Sequence, residues 1–341
     1  MTVVFTICSN NYLAQAKTLM DSVHQHNPEY SLVICLADKK REGLDYTFFE
    51  PAKILTVEEV LLNDLESLIE RYDIVEFNTA IKPSLFKHLI NRGDSVENIY
   101  YLDPDIKLYT SLEHLNKKLV ENSILLTPHI NTPIELDNKS PTEQTFQNHG
   151  IFNLGFLGLK ADSMEVKRLL NWWEERCLKL CIKNVKEGLF VDQLWMNFVP
   201  VYFKEVYIIR EYGYNMAPWN LHERKILESS DSNYILNDSS ELVFYHFSSY
   251  DFNNPGQLNK PFYNRFDLKE RKDLCELYRG YYEDLINNRI EEFSSIDFAF
   301  LRKQEDVEEK QKNPLHKKVL KSIVPPIIYN NLSNLKRVIY A

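Results

Sequence analysis

Two aspartates one residue apart follow an apolar run in the segment IYYLDPDIKLY, residues 99–109. Pro104 separates Asp103 from Asp105 and stiffens the link between them, because its ring fixes φ. This pattern fits a simple turn, since Asp and Pro both favour turns for local reasons. It also fits a divalent-cation site, because hard cations bind carboxylate oxygens. These residues alone leave both interpretations open.

Further carboxylate and imidazole groups follow apolar segments elsewhere in the chain. Asp38 ends the segment SLVICLAD, and His246 lies in ELVFYHF. Ligands of open α/β sheets bind beyond the carboxyl ends of the strands, so Asp38 and Asp103 are expected at one rim of a sheet. Taken alone, His246 is better explained as a half-buried strand histidine than as a ligand.

The elements that must position these groups are strands alternating with helices. A strand at TVVFTIC is followed by apolar residues at helical spacing and then by a strand at SLVICLAD. The alternation continues with helices at EEVLLNDLESLIERY and KPSLFKHLI, strands at NIYYL and SILLTPHI, and a long helix from near Asp162. This order predicts an α/β fold whose mainly parallel sheet has both faces covered by helices.

Composition divides the chain into three predicted segments: a main domain at 1–265, a charged helical extension at 266–312, and a basic, apolar tail at 313–341. The tail carries five Lys and Arg residues and no acidic residue. A basic, apolar segment is typical of peripheral contact with an anionic membrane surface. The alternative is a helix that packs on its own domain or on a sister subunit of a homo-oligomer.

The bulk composition restricts the function classes. The net charge of -9 disfavours wholesale nucleic-acid binding, which needs a basic surface. The sequence shows neither a signal-peptide pattern nor an apolar run of about 18 residues, so a cytoplasmic location is expected, with the inner face of the membrane as a second site. Cys177 and Cys181 fall in an apolar stripe with helical spacing, which predicts core packing rather than a metal site.

Five motifs occur in the order found in a known enzyme family. They are TICSNNYLAQAKTLMDSV, a strand ending in Asp-x-Asp, FNLGFLGLK, DQLWMN and YHFSSYDFNNPGQLNKPF. This order, over about residues 1–263, resembles the family 8 and related glycosyltransferases of the GT-A fold. The resemblance implies a Rossmann-like, mainly parallel mixed sheet flanked by helices, with a helical C-terminal extension.

The resemblance also implies an activity of the hexosyltransferase type. A sugar would move from a nucleotide diphosphate, with UDP expected, to a glycan or glycolipid acceptor with retention of configuration. The implied cofactor is Mn²⁺ or Mg²⁺, held by Asp103, Asp105 and His246. Such a cation stabilises the charge that develops on the diphosphate leaving group.

By the same resemblance, the catalytic pair is Asp192 and Gln193, held beneath the anomeric carbon of the donor sugar, and the segment FNLGFLGLK, with Asn153 and Gly155, lines the sugar. The implied donor-binding residues are Thr6, Ile7, Asn11, Tyr12, Asp38, Lys82, Asp103, Asn153, Gly155 and Lys260. Ordinary structural roles compete with these assignments. Thr6 is also explained as a strand residue, Asn11 and Asp192 as helix caps, and Lys82 as a solvated lysine at a helix start.

Two other function classes compete with the transferase. A non-catalytic nucleotide-sugar-binding or scaffold protein of this fold would be expected to lose at least one of four residues, Asp103, Asp105, Asp192 and His246, and all four are present. A nucleotidyltransferase would be expected to carry a glycine-rich loop near its N-terminus, whereas CSNNYLAQA contains no glycine. Trp219 and His222 are explained either as a wall for an acceptor sugar or as core packing.

Overall fold

The computed structural model of this chain describes residues 1–61, 64–92, 95–230, 233–258 and 262–300. The strands are β1 (Thr2–Cys8), β2 (Ser31–Leu36), β3 (Lys53–Thr56), β4 (Asn98–Leu102), β5 (Ile106–Leu108), β6 (Ile124–Pro128), β7 (Phe152–Lys160), β8 (Lys183–Asn184), β9 (Leu189–Phe190), β10 (Val206–Ile208), β11 (Ile226–Ser230), β12 (Asn233–Leu236) and β13 (Phe244–His246). The helices are α1 (Leu13–His26), α2 (Val57–Val60), α3 (Leu65–Arg71), α4 (Ile74–Ala80), α5 (Lys82–Ile90), α6 (Glu113–Glu121), α7 (Glu143–His149), α8 (Met164–Leu180), α9 (Val199–Tyr202), α10 (Cys275–Asn287) and α11 (Ile290–Ser294).

A seven-stranded sheet forms the centre of the fold, in the order β10-β6-β7-β4-β1-β2-β3. Strand β7 is antiparallel to its neighbours β4 and β6, while the remaining pairings of the sheet are parallel. The predicted α/β class with a mainly parallel mixed sheet is therefore confirmed. Because β7 runs against the other strands, its first residues lie at the rim where β4 and β6 end.

Both faces of the sheet are buried, and this explains why the sequence of β1 is almost continuously apolar. Its side chains alternate between two cores: Val4 and Cys8 join one, and Val3, Phe5 and Ile7 join the other. A strand covered on both faces loses the polar alternation of a half-exposed strand. Helices α1, α6 and α10 supply buried residues to the first core, and α3, α4, α5 and α8 supply the second.

The cysteine prediction is confirmed on helix α8. Cys177 is a free thiol on that helix and is fully buried, and Cys181, just after the helix, is also free and buried. Both belong to the second core, which also contains Trp173. These thiols therefore act as packing groups.

One predicted helix differs from the structure. EEVLLNDLESLIERY was expected to form one helix, whereas α2 ends at Val60 and α3 begins at Leu65. The long helix begins near Asp162 as predicted, at Met164, but the residue that caps it is Ser163, whose side chain accepts a hydrogen bond from the Glu165 amide at 3.1 Å. Within the described residues, no helix has both the length and the apolar character needed to cross a membrane.

The described part of the predicted extension, residues 266–300, contains α10 and α11. Tyr281 of α10 stacks on Phe247 with ring centroids 3.7 Å apart, and Asp284 pairs with Lys107. The predicted boundaries at 265 and 312 stay predictions, and the tail at 313–341 lies outside the described residues.

Candidate active site

Asp103 and Asp105 lie in the tight connection between β4 and β5, at the rim of the sheet. The Asp103 amide donates to the Gly155 carbonyl at 2.8 Å, and the Ile106 amide donates to the Asp103 carbonyl at 3.1 Å. The Asp-Pro-Asp segment is thus a turn, as one interpretation proposed. The turn also directs both carboxylates towards one histidine.

That histidine is His246, which strand pairing brings beside the turn. β13 is antiparallel to β5 with His246 opposite Ile106, and the Phe247 amide donates to the Asp105 carbonyl at 2.8 Å. His246 Nε2 lies 3.0 Å from Asp105 Oδ1 and 3.8 Å from Asp103 Oδ2. One ligand atom from each of the three residues lies within 4.8 Å of the others. We call this group the Asp–His cluster.

The Asp–His cluster has a donor set that fits a divalent cation. Its two carboxylates are oxygen ligands of the kind that Mg²⁺ and Mn²⁺ accept, and its imidazole adds a nitrogen ligand, which suits a transition metal such as Mn²⁺ better than Mg²⁺. Burial acts to lower the pKa of His246, but the carboxylates of Asp105 and Asp103 outweigh it and raise that pKa. The same concentration of negative charge would attract a divalent cation in place of the proton.

Packing and one polar contact position the ring of His246, since its Nε2 lies beside Asp105 while its Nδ1 is buried without a hydrogen-bond partner. The Trp219 ring packs edge-on against it with centroids 5.1 Å apart. Gly155 also lies against the ring, since an added Cβ there would lie 2.5 Å from His246 Cε1 and 2.8 Å from Asn153 Oδ1. Glycine at this position therefore leaves room for the imidazole.

We expect Gly155→Ala to weaken Mn²⁺ binding by roughly 5- to 150-fold, because overpacking of about 1–3 kcal/mol would displace His246 from the carboxylates. Isothermal titration with Mn²⁺ measures this effect. Gly280→Ala is the matched control, since a Cβ at Gly280 meets no atom within 4 Å. Equal Mn²⁺ affinities for the two variants would contradict the packing role of Gly155.

Lys82 and Asp192 form a buried ion pair close to the Asp–His cluster. Lys82 Nζ lies 2.8 Å from Asp192 Oδ2, and both side chains are 2% exposed. The ammonium also donates to the Leu154 carbonyl at 3.0 Å and lies 4.1 Å from the centroid of the Tyr101 ring. Lys82 is thus buried rather than solvated, and Asp192 is its partner rather than a helix cap.

Burial and neighbouring charged groups shift the pKa values of Lys82 and Asp192. Burial acts to lower the pKa of Lys82, but Asp192 and Asp103 outweigh it and raise that pKa. Lys82 is therefore cationic at neutral pH. Burial raises the pKa of Asp192 in spite of the opposing effect of Lys82. Tyr101 connects the pair to the cluster, because its hydroxyl donates to Asp103 Oδ1 at 2.5 Å.

Gln193 and Asn153, predicted to lie near the sugar, are joined by a network of amide hydrogen bonds. Gln193 Oε1 accepts from the Leu154 amide at 2.9 Å and from Asn153 Nδ2 at 3.4 Å. Gln193 Nε2 donates to the His149 carbonyl at 2.8 Å. Asn153 Oδ1 accepts from the Gly155 amide at 3.1 Å. These bonds hold both side chains at the start of β7.

The predicted nucleotide-contacting residues lie near the end of β1 and in the segments that follow β1 and β2. Phe5 pairs with Tyr101 in the sheet, so Thr6 and Ile7 lie level with the end of β4. Both side chains are buried, and the Thr6 hydroxyl has no hydrogen-bond partner. Tyr12 is 44% exposed, and its pKa is raised by burial and by the carboxylates of Asp105 and Asp103.

Asp38 and Asn11 take part in local hydrogen bonds. Asp38 Oδ2 accepts from Asn10 Nδ2 at 2.7 Å, and Asp38 Oδ1 accepts from the Ala299 amide at 2.9 Å. Asn11 Oδ1 accepts from the Ser9 hydroxyl at 2.6 Å. The structure thus gives both residues partners within the protein, and their donor contacts stay predictions.

Lys260 and Trp219 were also named in the sequence analysis as possible donor or acceptor contacts. Lys260 lies outside the described residues. Trp219 is only 5% exposed and packs with Ile134, Phe146 and Ala217, which favours the core-packing interpretation over an open sugar platform.

Sequence reasoning missed Tyr101 and His129. Tyr101 had a detectable signal, since it lies two residues before Asp103 and points to the same face of its strand. His129 follows Pro128 at the end of β6, at the same rim as Asp103. A histidine directly after a central strand was a signal that the sequence contained.

No protein-family model matches the sequence. The chain is 24% identical over 299 residues to the uncharacterized protein YfnD of Bacillus subtilis, an alignment that covers 86% of this chain and 92% of YfnD. It is 27% identical over 246 residues to the uncharacterized protein YfnF of Bacillus subtilis, covering 72% of this chain and 80% of YfnF.

Similar solved structures include two proteins described as glycosyltransferases. The galactosyltransferase LgtC, solved with donor and acceptor sugar analogues, is 16% identical, with a TM-score of 0.45 and coverage of 82% of this chain and 100% of LgtC. The glycosyltransferase GlyE of Streptococcus pneumoniae is 15% identical, with a TM-score of 0.47 and coverage of 91% of this chain and 63% of GlyE.

Proposed function

We propose that this chain is a metal-dependent glycosyltransferase of the GT-A fold that moves a sugar from a nucleotide diphosphate to an acceptor. The observation that carries this proposal is the convergence of Asp103, Asp105 and His246 at the carboxyl rim of a mainly parallel sheet. This is the edge at which α/β sheets bind their ligands. UDP is the expected nucleotide, and a glycan or glycolipid is the expected acceptor.

The cluster would hold the cation through Asp103, Asp105 and Nε2 of His246. A divalent cation there would act as a Lewis acid and stabilise negative charge on the diphosphate leaving group. The buried Lys82 ammonium, with its raised pKa, adds a fixed positive charge beside Asp103. Through their ion pair it also opposes the rise that burial causes in the pKa of Asp192.

Asp192 and Gln193 take different roles in this proposal. The Asp192 carboxylate is suited to stabilise positive charge that develops on the sugar ring, because a buried charge acts strongly where water is excluded. Gln193 uses both ends of its amide in contacts with Leu154, Asn153 and His149, so it positions the sugar-binding segment. The proposal also includes retention of configuration at the anomeric carbon and an activity of the hexosyltransferase type.

Peripheral membrane contact would suit a glycolipid acceptor. It rests on the five cations of the tail at 313–341 and on the ability of a basic, apolar segment to lie at an anionic surface. That tail lies outside the described residues, so the contact and the cytoplasmic location stay predictions, as does a homo-oligomer.

A donor-hydrolysis screen tests the proposed function directly. Purified protein is incubated with UDP-, GDP-, TDP- and CMP-sugars in Mn²⁺, and release of the nucleotide product is measured. We expect turnover of a UDP-sugar that stops on addition of a chelator and returns with excess Mn²⁺. Binding of a nucleotide-sugar without turnover, in the presence of candidate glycan acceptors, would favour the non-catalytic binding protein instead.

A further inference from the structure

His129 lies in the interior immediately behind the predicted sugar pocket. It is 6% exposed and follows β6 at the rim of the sheet. Its ring stacks on Phe146 with centroids 5.0 Å apart and meets Trp219 edge-on at 5.3 Å. The same Trp219 packs against His246. The imidazole is therefore held firmly next to the proposed site.

Both ring nitrogens of His129 have partners, and those partners fix its tautomer. Nδ1 lies 3.3 Å from the Ile151 carbonyl, and Nε2 lies 3.3 Å from Asn153 Nδ2. A carbonyl only accepts hydrogen bonds, so Nδ1 carries the proton and Nε2 accepts from the Asn153 amide. Burial lowers the pKa of His129 to about 3, so the ring is neutral at physiological pH.

The orientation of the Asn153 amide depends on this acceptor. Its Nδ2 group donates to His129 Nε2 and to Gln193 Oε1, while its Oδ1 accepts from the Gly155 amide. If the amide turned over, its oxygen would face two acceptors and its NH₂ group would face the Gly155 N–H. Only the observed orientation satisfies all three contacts, and it leaves Oδ1 with one free lone pair.

Resting on the function proposed above, we infer that His129 is a positioning residue for donor-sugar recognition. Its neutral imidazole fixes the amide of Asn153 so that Asn153 Oδ1 presents an acceptor to a hydroxyl of the donor sugar. Asn153 Nδ2 also donates to Gln193 Oε1. His129 therefore helps to orient both amide side chains that are predicted to lie near the sugar. His129 itself contacts neither the substrate nor the cation.

Two variants separate the hydrogen bond from the ring packing. His129→Phe keeps an aromatic ring between Phe146 and Trp219 but removes the acceptor. His129→Gln loses the ring but supplies an amide oxygen that can accept from Asn153 Nδ2. Phe146→Leu is the matched packing control, because it removes the stacking partner and leaves the hydrogen bond in place. Thermal unfolding monitored by circular dichroism establishes that each variant is folded.

The main readout is the ratio of two dissociation constants, both measured with Mn²⁺. One is the dissociation constant for UDP, and the other is that for the UDP-sugar with the highest turnover in the donor-hydrolysis screen. We expect His129→Phe to bind UDP as the wild type does but to bind the sugar nucleotide roughly 10-fold more weakly, which is the loss of about one net hydrogen bond to the sugar. Its kcat should fall further than its affinity. His129→Gln should restore the ratio at least in part, and Phe146→Leu should lower Tm without changing the ratio.

A His129→Phe variant with wild-type kcat and a wild-type ratio of dissociation constants would overturn the inference while leaving the transferase proposal intact. A wild-type protein without turnover of any donor would overturn both. The imidazole ¹⁵N shifts of His129 give a test that needs no activity, since we expect the Nδ1–H tautomer without titration between pH 5 and pH 8, a range well above the pKa of about 3. Protonated Nε2 in that range would also overturn the inference.

Discussion

Asp105→Asn is expected to lower kcat/KM for donor turnover by roughly 10³-fold, because Lewis-acid stabilisation of the leaving group is worth several kcal/mol and each 1.4 kcal/mol is about tenfold in rate. Asp105 is the carboxylate nearest to His246, at 3.0 Å from Nε2. Its side chain is 21% exposed, so it faces both the buried histidine and the open rim. Asparagine keeps the shape of the side chain and removes the negative charge that holds the cation.

The Asp105→Asn variant should lose Mn²⁺ binding and turnover together. Donor turnover and calorimetric Mn²⁺ titration measure the two effects on the same preparation. Asp162→Asn is the control, since Asp162 is exposed and lies beyond the far end of β7, away from the start of that strand. Turnover in Asp105→Asn within a few-fold of the wild type would exclude the Asp–His cluster as the metal site.

Topology predicted where the two aspartates of the cluster lie, whereas the membership of His246 was predicted only through the resemblance to a known family. Asp103 and Asp105 follow a central strand, and β13 pairs with β5 directly after them. The alternation of strands and helices was enough to place strand ends at one rim. Composition did not predict that β13 pairs with β5. The prediction that His246 is a metal ligand came from the order of the motifs.

The sequence did not predict how the amides around β7 are ordered. Gln193 was expected near the sugar, but its contacts are with backbone groups of Leu154 and His149, more than 35 residues earlier in the chain. Hydrogen bonds of this kind depend on the exact course of two loops rather than on residue type. The role of His129 has the same origin, because its partners are an amide and a carbonyl on the neighbouring strand segment.

Lys82 shows the limit of local reasoning most clearly. At the start of a helix, a lysine is ordinarily solvated, since burial of an unpaired charge costs several kcal/mol. Here Ile81, which precedes the helix, is buried in the second core together with Leu85 and Phe86 of the helix, and the lysine is buried with them. Its counter-charge, Asp192, comes from a distant part of the chain. A single sequence does not specify such a pairing.

Lys82→Met is expected to destabilise the fold by about 3–5 kcal/mol, because it leaves the Asp192 carboxylate buried without its partner. Methionine keeps the length and apolar stem of the lysine, so the effect reports the charge rather than a cavity. Urea unfolding at neutral pH measures the loss of unfolding free energy. The double variant Lys82→Met/Asp192→Leu should recover most of that loss, since neither charge then remains buried.

The pH dependence of the same variant distinguishes an uncompensated carboxylate from a general packing defect. Burial already raises the pKa of Asp192 with Lys82 present, and removal of the cation would raise that pKa further. A carboxyl whose pKa is higher in the folded state than in the unfolded state binds more protons when folded, so stability falls as pH rises above about 4, the ordinary pKa of Asp. The deficit of Lys82→Met relative to the wild type should therefore be smaller at pH 5 than at pH 8. A deficit that is equal at both pH values, or one that the double variant does not relieve, would show that Lys82 contributes packing rather than charge.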